Sequence, residues 1–312
     1  MSAGIDLSVV VLLEEESPDF VHYLQVLHDL FQQRGAAFEI LVIANGVERF
    51  LKTQLALLPD GYRRLKAFSF PSRVSQAVCV RAALKESAAA TLVMCGSYQQ
   101  ISAEGFQALL AALDEGVDLV CPCRQQRVDP SFNQFQSRLF NGLIAAVTGT
   151  RLHDLSGTTR ILRREVLEAV PIYGNLYRFL PILAQQKGYR VREVPCAHFQ
   201  ERGKTGFYSF AEYMGRLVDI GTLYFNTRFS RKPLRFFSSV GAALIAAGGL
   251  AALWVLGQKL FYNVPIGNSA AVLTTVILVA GGVNTAGLGL LGEIIAFTHG
   301  RQRKEYTIEK II

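Results

Sequence analysis

The sequence is short of charge. Only 18% of its 312 residues are Asp, Glu, Lys or Arg, where an ordinary soluble domain carries about a quarter. Half of the residues are hydrophobic and the mean hydropathy is +0.26. The apolar excess lies mostly after Phe236, which points to an anchor and not to an oversized core. Cysteine is also sparse: Cys79, Cys95, Cys121, Cys123 and Cys196 are an odd set whose spacing excludes a disulfide framework. Cys121-Pro-Cys123 has no second pair at zinc-ligand spacing, so these read as reduced thiols of a cytosolic domain. Residues 1–7 have neither a basic start nor a long apolar run, and no signal peptide is expected. No basic stripe interleaved with aromatics is present, which argues against nucleic acid as a partner.

Two long stretches without charge are present. Phe236–Gln258 and Asn263–Gly292 each exceed the roughly 20 apolar residues that a bilayer crossing needs. The chain carries a formal charge of +7. Much of that charge flanks the two stretches: Arg228, Arg231, Lys232 and Arg235 before the first, and Arg301, Arg303 and Lys304 after the second. Cationic flanks stay on the cytoplasmic side. The pattern therefore predicts a multi-pass protein of the cytoplasmic (inner) membrane with both termini inside and the 259–268 connection outside. Gly248-Gly249 and Gly281-Gly282 are small enough to let the two helices pack closely.

Before the anchor, apolar runs and helical periodicity alternate. Asp6–Leu13, Phe38–Ala44, Leu65–Phe70, Thr91–Cys95 and Val117–Cys121 read as buried strands. Between them Pro18–Gly35, Glu48–Leu58, Val74–Ser87 and Ser102–Glu115 read as helices, with Ser102 as an N-cap. Further on, the pattern predicts a helix over Phe132–Gly149, a strand and turn over His153–Leu162, helices over Glu165–Val170 and Arg178–Lys187, and an edge or antiparallel strand over Tyr189–Phe199. Ser209–Thr227 is amphipathic, and two readings stand: a helix lying in the membrane interface, or a core helix. The fold class is α/β, a mostly parallel sheet with helices on both faces. Ligands in such folds sit beyond the carboxyl ends of the strands, here Leu13-Glu14, Ala44-Asn45, Cys95–Ser97 and Cys123-Arg124.

Three segments carry a resemblance. Asp154-Leu-Ser-Gly-Thr-Thr-Arg160-Ile-Leu-Arg-Arg-Glu-Val-Leu167 is similar to the D-L-T-G-S-F-R-L-Y-R-x-E-V-L of family 2 glycosyltransferases of the polyprenyl-phosphate type. Arg178-Phe-Leu-Pro181 with Gly188-Tyr-Arg-Val-Arg-Glu-Val-Pro195, and the loop Arg202-Gly203-Lys204-Thr205, resemble the same family. The resemblance implies a GT-A-like (nucleotide-diphospho-sugar transferase) domain at 1–208, a juxtamembrane amphipathic helix at 209–232, a transmembrane hairpin at 233–300 and a cytoplasmic tail at 301–312. It implies transfer of a sugar from a nucleotide-sugar to a polyprenyl phosphate, with inversion at the anomeric carbon by direct attack of the lipid phosphate. Asp154 then belongs at the active site. Glu14, Ala44, Asn45, Cys95, Ser97 and Gln99 line the donor cleft, and Arg124, Arg160, Arg202 and Lys204 face the acceptor phosphate. Self-association through the membrane helices is a further partner expectation.

The sequence departs from the family at one place that matters. A leaving diphosphate is usually neutralised by Mg or Mn on an Asp-x-Asp pair after the fourth strand, and here those positions are Cys95 and Ser97. A thiol and a hydroxyl are poor ligands for a hard cation, so no metal ligand is assigned. Basic residues such as Arg73, Arg124, Arg127 or Lys204 would have to carry that charge. Two functions therefore stand side by side: an active transferase, or a catalytically silent relative that binds lipid-linked sugar or supports an active partner. A membrane-anchored structural protein with no ligand is a third. Each site residue also has a structural reading: a turn cap for Asp154, an ion pair for Arg160, a fold role for His153, and solvated charge for Glu14–Glu16, Arg124, Arg127, Arg202 and Lys204.

Overall fold

The computed structural model describes residues 5–59, 62, 64–125, 142–145, 148–150, 152, 157–174, 176–197, 210–224, 233–262 and 270–300. The chain divides into two compact units, Met1–Ile220 and Gly221–Ile312.

The first unit is built on a seven-stranded sheet. Its strands are β1 (Leu7–Leu13), β2 (Phe38–Asn45), β3 (Leu65–Phe70), β4 (Thr91–Cys95), β5 (Leu119–Gln125), β6 (Arg160–Arg163) and β7 (Val191–Ala197). They lie in the order β3-β2-β1-β4-β6-β5-β7. Helices α1 (Phe20–Gln33), α2 (Glu48–Leu55), α3 (Gln76–Glu86) and α4 (Ala103–Asp114) alternate with the first strands. A short α5 (Arg164–Ala169), a 3-10 turn (Leu176–Phe179) and α6 (Leu180–Gln186) follow β6.

Burial on both faces explains the continuous apolar strands. Every residue of β1 is buried, as expected of a central parallel strand. Helix α1 buries Phe20, Tyr23, Leu24, Leu27, Leu30 and Phe31, one stripe at helical spacing. Ser102 accepts from the Gly105 N–H at 3.3 Å and caps α4, as its sequence position predicts. The edge strands are less apolar. β3 and β7 are mostly half-buried or exposed, and β7 carries Arg192 and Glu193, charges that discourage pairing with another chain.

The sheet is mostly parallel with one antiparallel insertion. β6 runs antiparallel to both β4 and β5. Of the two readings for the last strand, edge or antiparallel, β7 satisfies the first and pairs parallel with β5. At the amino edge a buried carboxylate ties three strands together. Glu39 is 1% exposed. Its Oε1 accepts from the Ser8 hydroxyl and the Ala88 N–H, both at 2.7 Å, and its Oε2 accepts from Lys66 Nζ at 2.9 Å. Burial acts to raise the Glu39 pKa, but these donors outweigh it and the pKa is lowered.

Helix α7 (Phe210–Tyr224) spans the division between the units. The second unit contains α8 (Pro233–Tyr262) and α9 (Ala270–Gly300), packed antiparallel. A Cβ on Gly241 would stand 2.6 Å from the Gly282 carbonyl, and one on Gly282 would stand 2.7 Å from the Gly241 carbonyl, so the two backbones touch there. Gly248 meets Val279 in the same seam. Gly249 and Gly281, the other members of the two pairs, face open space instead. The outer faces are apolar and bare: Leu250, Trp254 and Leu260 are 69%, 68% and 71% exposed. Pro233–Phe261 and Ala270–Ile295 are each long and apolar enough to cross a bilayer. Water would not tolerate so much contiguous apolar surface, and the protein is a membrane protein.

Candidate donor and acceptor site

The strand order reverses between β1 and β4: β2 and β3 continue to one side of β1, and β4 lies on the other. The crevice beyond the carboxyl ends of these strands is where such a sheet accepts a ligand. Four described segments meet there, namely Glu14–Asp19 after β1, Asn45–Val47 after β2, Pro71–Ser75 after β3 and Gly96–Ser102 after β4.

A polar network fixes the first three segments. The Asn45 amide is 2% exposed. Its Nδ2 donates to the Val74 carbonyl at 2.8 Å, and its Oδ1 accepts from the Val74 N–H at 2.7 Å. This pair of bonds pins the loop after β3 against β2. Asn45 Nδ2 also reaches Glu14 Oε1 at 3.5 Å, and Gln76 Nε2 donates to Glu14 Oε2 at 2.7 Å. Glu14 is half-buried, whereas Glu15 and Glu16 are exposed. Of the acidic run, Glu14 is therefore the carboxylate held in the crevice. Gly46 takes φ +80, which a side chain would strain, and Arg73 packs beside it, exposed at the rim.

The segment after β4 is closed from above. Thr158 donates to Gln100 Oε1 through both its N–H and its hydroxyl, each at 3.1 Å. A Cβ on Gly96 would stand 2.5 Å from the Thr158 hydroxyl oxygen, so only glycine fits beneath it. Ser97 is 8% exposed. Gln99, the predicted cleft residue, donates to the Ile101 carbonyl at 3.1 Å within its own turn. Its neighbour Gln100 makes the contact across the crevice, and the Gln99-Gln100 doublet was the only signal of it in the sequence.

Cys95 is fully buried in the core cluster that contains Val93, Tyr23, Leu24 and Phe106. Burial pushes its thiol up to about 12, partly offset by the neighbouring Tyr23 hydroxyl. That hydroxyl lies close to Cys95 but completes no hydrogen bond among the described residues. Ala44 is likewise fully buried. Asn45 and Ser97 thus stand at the strand ends, while Ala44 and Cys95 both belong to the core cluster beneath.

Arg160, expected at the acceptor phosphate, is held by backbone carbonyls among the described residues. It is 2% exposed. Its guanidinium donates to the carbonyls of Tyr177 (2.5 Å), Arg178 (2.8 Å) and Gly157 (3.4 Å), and lies 4.8 Å from the Tyr177 ring centroid. A planar fork of donors suits three converging carbonyls, and Arg160 joins β6 to the 3-10 turn in this way. The predicted residues His153, Asp154, Arg127, Arg202 and Lys204 lie outside the described residues, as does the side chain of Arg124.

The residues present do not fit a divalent cation at the end of β4. Hard cations ask for several oxygen ligands, yet Cys95 is a buried thiol and Ser97 a nearly buried hydroxyl. Among the described residues, no group of three or more His, Cys, Asp or Glu side chains is placed to hold a metal. Among the described residues, the crevice offers instead amide and hydroxyl hydrogen-bonding groups, the half-buried carboxylate of Glu14 and the rim guanidinium of Arg73.

Comparison with known proteins shows what this chain is similar to. Residues 22–170 match the family described as Glycosyl transferase family 2. The chain is 27% identical over 313 residues to the undecaprenyl-phosphate 4-deoxy-4-formamido-L-arabinose transferase of Pseudomonas aeruginosa (strain LESB58), covering 99% of this chain and 91% of that one. The protein of the same name from Pectobacterium atrosepticum is 24% identical over 311 residues, covering 98% and 94%. Among solved structures, glucosyl-3-phosphoglycerate synthase from Mycobacterium tuberculosis with Mn2+ and UDP-glucose superposes with a TM-score of 0.53 at 12% identity, covering 72% of this chain and 79% of that one. Its complex with UDP gives 0.52 at 16%, covering 72% and 80%. These structures show a GT-A-like fold for the first unit.

Proposed function

We propose that this membrane protein, whose residues 22–170 match glycosyl transferase family 2, transfers a sugar from a nucleotide-sugar to a polyprenyl phosphate. One observation carries the reading: the similarity to undecaprenyl-phosphate sugar transferases runs over 99% of the chain and takes in both apolar helices. A lipid acceptor requires a catalytic domain tethered at the bilayer, and this chain is organised that way.

The donor occupies the crevice after β1, β2 and β4, with Glu14 and Asn45 on the nucleoside side. Asp154 precedes β6 in sequence by six residues, four ahead of Thr158, which contacts Gln100. Arg124, Arg202 and Lys204 face the lipid phosphate, where fixed cations offset acceptor charge. By the positive-inside rule the soluble unit and both termini are cytoplasmic, and α7 lies along the membrane interface. Asp154→Asn tests the assignment: membranes carrying it lose transfer to undecaprenyl phosphate, while the wild type is active with one sugar of a nucleotide-sugar panel. Transfer that survives Asp154→Asn overturns the assignment.

The burial of Cys95 favours a second reading. A chain whose described residues hold no cation seat at the end of β4 serves as a silent relative that holds lipid-linked sugar or supports an active partner. Binding of nucleotide or lipid with no transfer under any condition would select it.

A further inference from the structure

We propose that the cation seat at the end of β4 is closed by core packing rather than merely stripped of carboxylates, so that restoring an acidic residue at position 95 cannot rebuild it. Three observations support this. Strand β4 alternates, and Val93 and Cys95 face the cluster formed with α1 and α4. The first ligand position is therefore a core position, fully buried and in contact range of the Tyr23 phenol. The intervening Gly96 is roofed by Thr158, which is itself tied twice to Gln100. The second ligand position, Ser97, is 8% exposed. Two carboxylates at positions 95 and 97 could not share one ion here unless the β4 end left the core and Thr158 lifted away.

The inference follows from the fold of the soluble unit and does not rest on sugar transfer. Its test therefore uses neither sugar nor lipid, and failure of the transfer reading leaves it standing. The experiment uses the full-length chain in detergent, with Mn2+ alone as the probe. The electron paramagnetic resonance of free Mn2+ and thermal melting are followed for the wild type and for Cys95→Asp, Cys95→Asn, Cys95→Ala and Cys95→Asp/Ser97→Asp. The wild type takes up no Mn2+ that Ser97→Ala abolishes. Cys95→Asp melts about 10 °C or more below the wild type at pH 7, because a carboxylate is forced into the core. Added Mn2+ does not restore it. The deficit shrinks towards pH 5, as a buried carboxyl becomes protonated there, and the neutral Asn variant shows no such recovery. Failure of Cys95→Asp to fold at pH 7 while Cys95→Ala folds also supports closure. The proposal is overturned if the double variant melts at the wild-type temperature and binds one Mn2+. It is equally overturned if the wild type binds one Mn2+ that Ser97→Ala removes.

Discussion

Arg160→Lys separates a structural role from a phosphate-binding one. The guanidinium is 2% exposed and, among the described residues, donates to three backbone carbonyls. A lysine keeps the charge, but its single ammonium cannot span the carbonyls of Gly157, Tyr177 and Arg178 together. Hydrogen bonds to a charged group contribute about 1.5–3 kcal/mol each, and breaking a buried ionic arrangement costs about 3–5 kcal/mol. Losing two of the three contacts should therefore cost about 3–5 kcal/mol. For a unit of this size, that corresponds to a fall in melting temperature on the order of 6–20 °C. Circular dichroism of the detergent-purified chain at 222 nm reads it out. Lys204→Ala, in a segment matched to the acceptor loop, serves as the contrast and should melt with the wild type. The reasoning is refuted if Arg160→Lys melts at the wild-type temperature yet loses affinity for lipid phosphate.

The other predictions concern the amino edge, the helix seam and the thiols. The Glu39 pKa is lowered in the fold, so the unfolded chain binds the extra proton between the two values. The stability contributed by Glu39 is thus present above its unfolded pKa and lost as pH falls through the lower folded one. Glu39→Gln should destabilise near neutral pH, with the gap to the wild type narrowing below about pH 4; a gap independent of pH would contradict this. In the hairpin, Gly282→Leu should lower the melting temperature because its Cβ would stand 2.6 Å from Ile245 Cγ1, whereas Gly249→Ala faces open space and should not. Equal melting of the two variants would argue against the seam. Burial pushes the thiols of Cys79, Cys95 and Cys196 up to about 11, 12 and 11, and Cys121 is buried. Maleimide at pH 7 should therefore label at most one cysteine per native chain, the half-buried Cys123. Two or more fast labels would count against the packing.

Much of the fold was legible because it rests on burial that composition reveals. The LSVVVLL run of β1 is apolar because both faces are covered, and Ser102 announces its helix because a serine there satisfies an orphan N–H. Strand β6 is only four residues long, too short for periodicity to give its direction, and its antiparallel pairing is set by tertiary neighbours. Strand β7 is seven residues long, and its direction is likewise set by its neighbour, β5. The candidate site was partly legible. Glu14 and Asn45 do meet, at the strand ends where an α/β sheet places its ligands. Arg160 reads from the motif as a charge available to a ligand, yet among the described residues it donates to the carbonyls of Gly157, Tyr177 and Arg178, contacts no residue pattern encodes. Gln100 was missed because the motif alignment selected Gln99, and Gln76 because its carboxylate partner Glu14 is 62 residues away. Cys95 was recognised as a lost ligand. Its membership of the core depends on Tyr23 in α1, which only the fold brings alongside.

Sugar transfer to a polyprenyl phosphate would here proceed with no cation seat at the end of β4 among the described residues. The most direct measurement reconstitutes the full-length wild type in liposomes with undecaprenyl phosphate and radiolabelled nucleotide-sugars, with and without EDTA, and resolves the lipid fraction. The account predicts a labelled, mild-acid-labile glycolipid from one donor, formed at a rate that EDTA leaves unchanged. No labelled lipid from any donor, or a product that disappears with EDTA and returns with Mn2+, would contradict it.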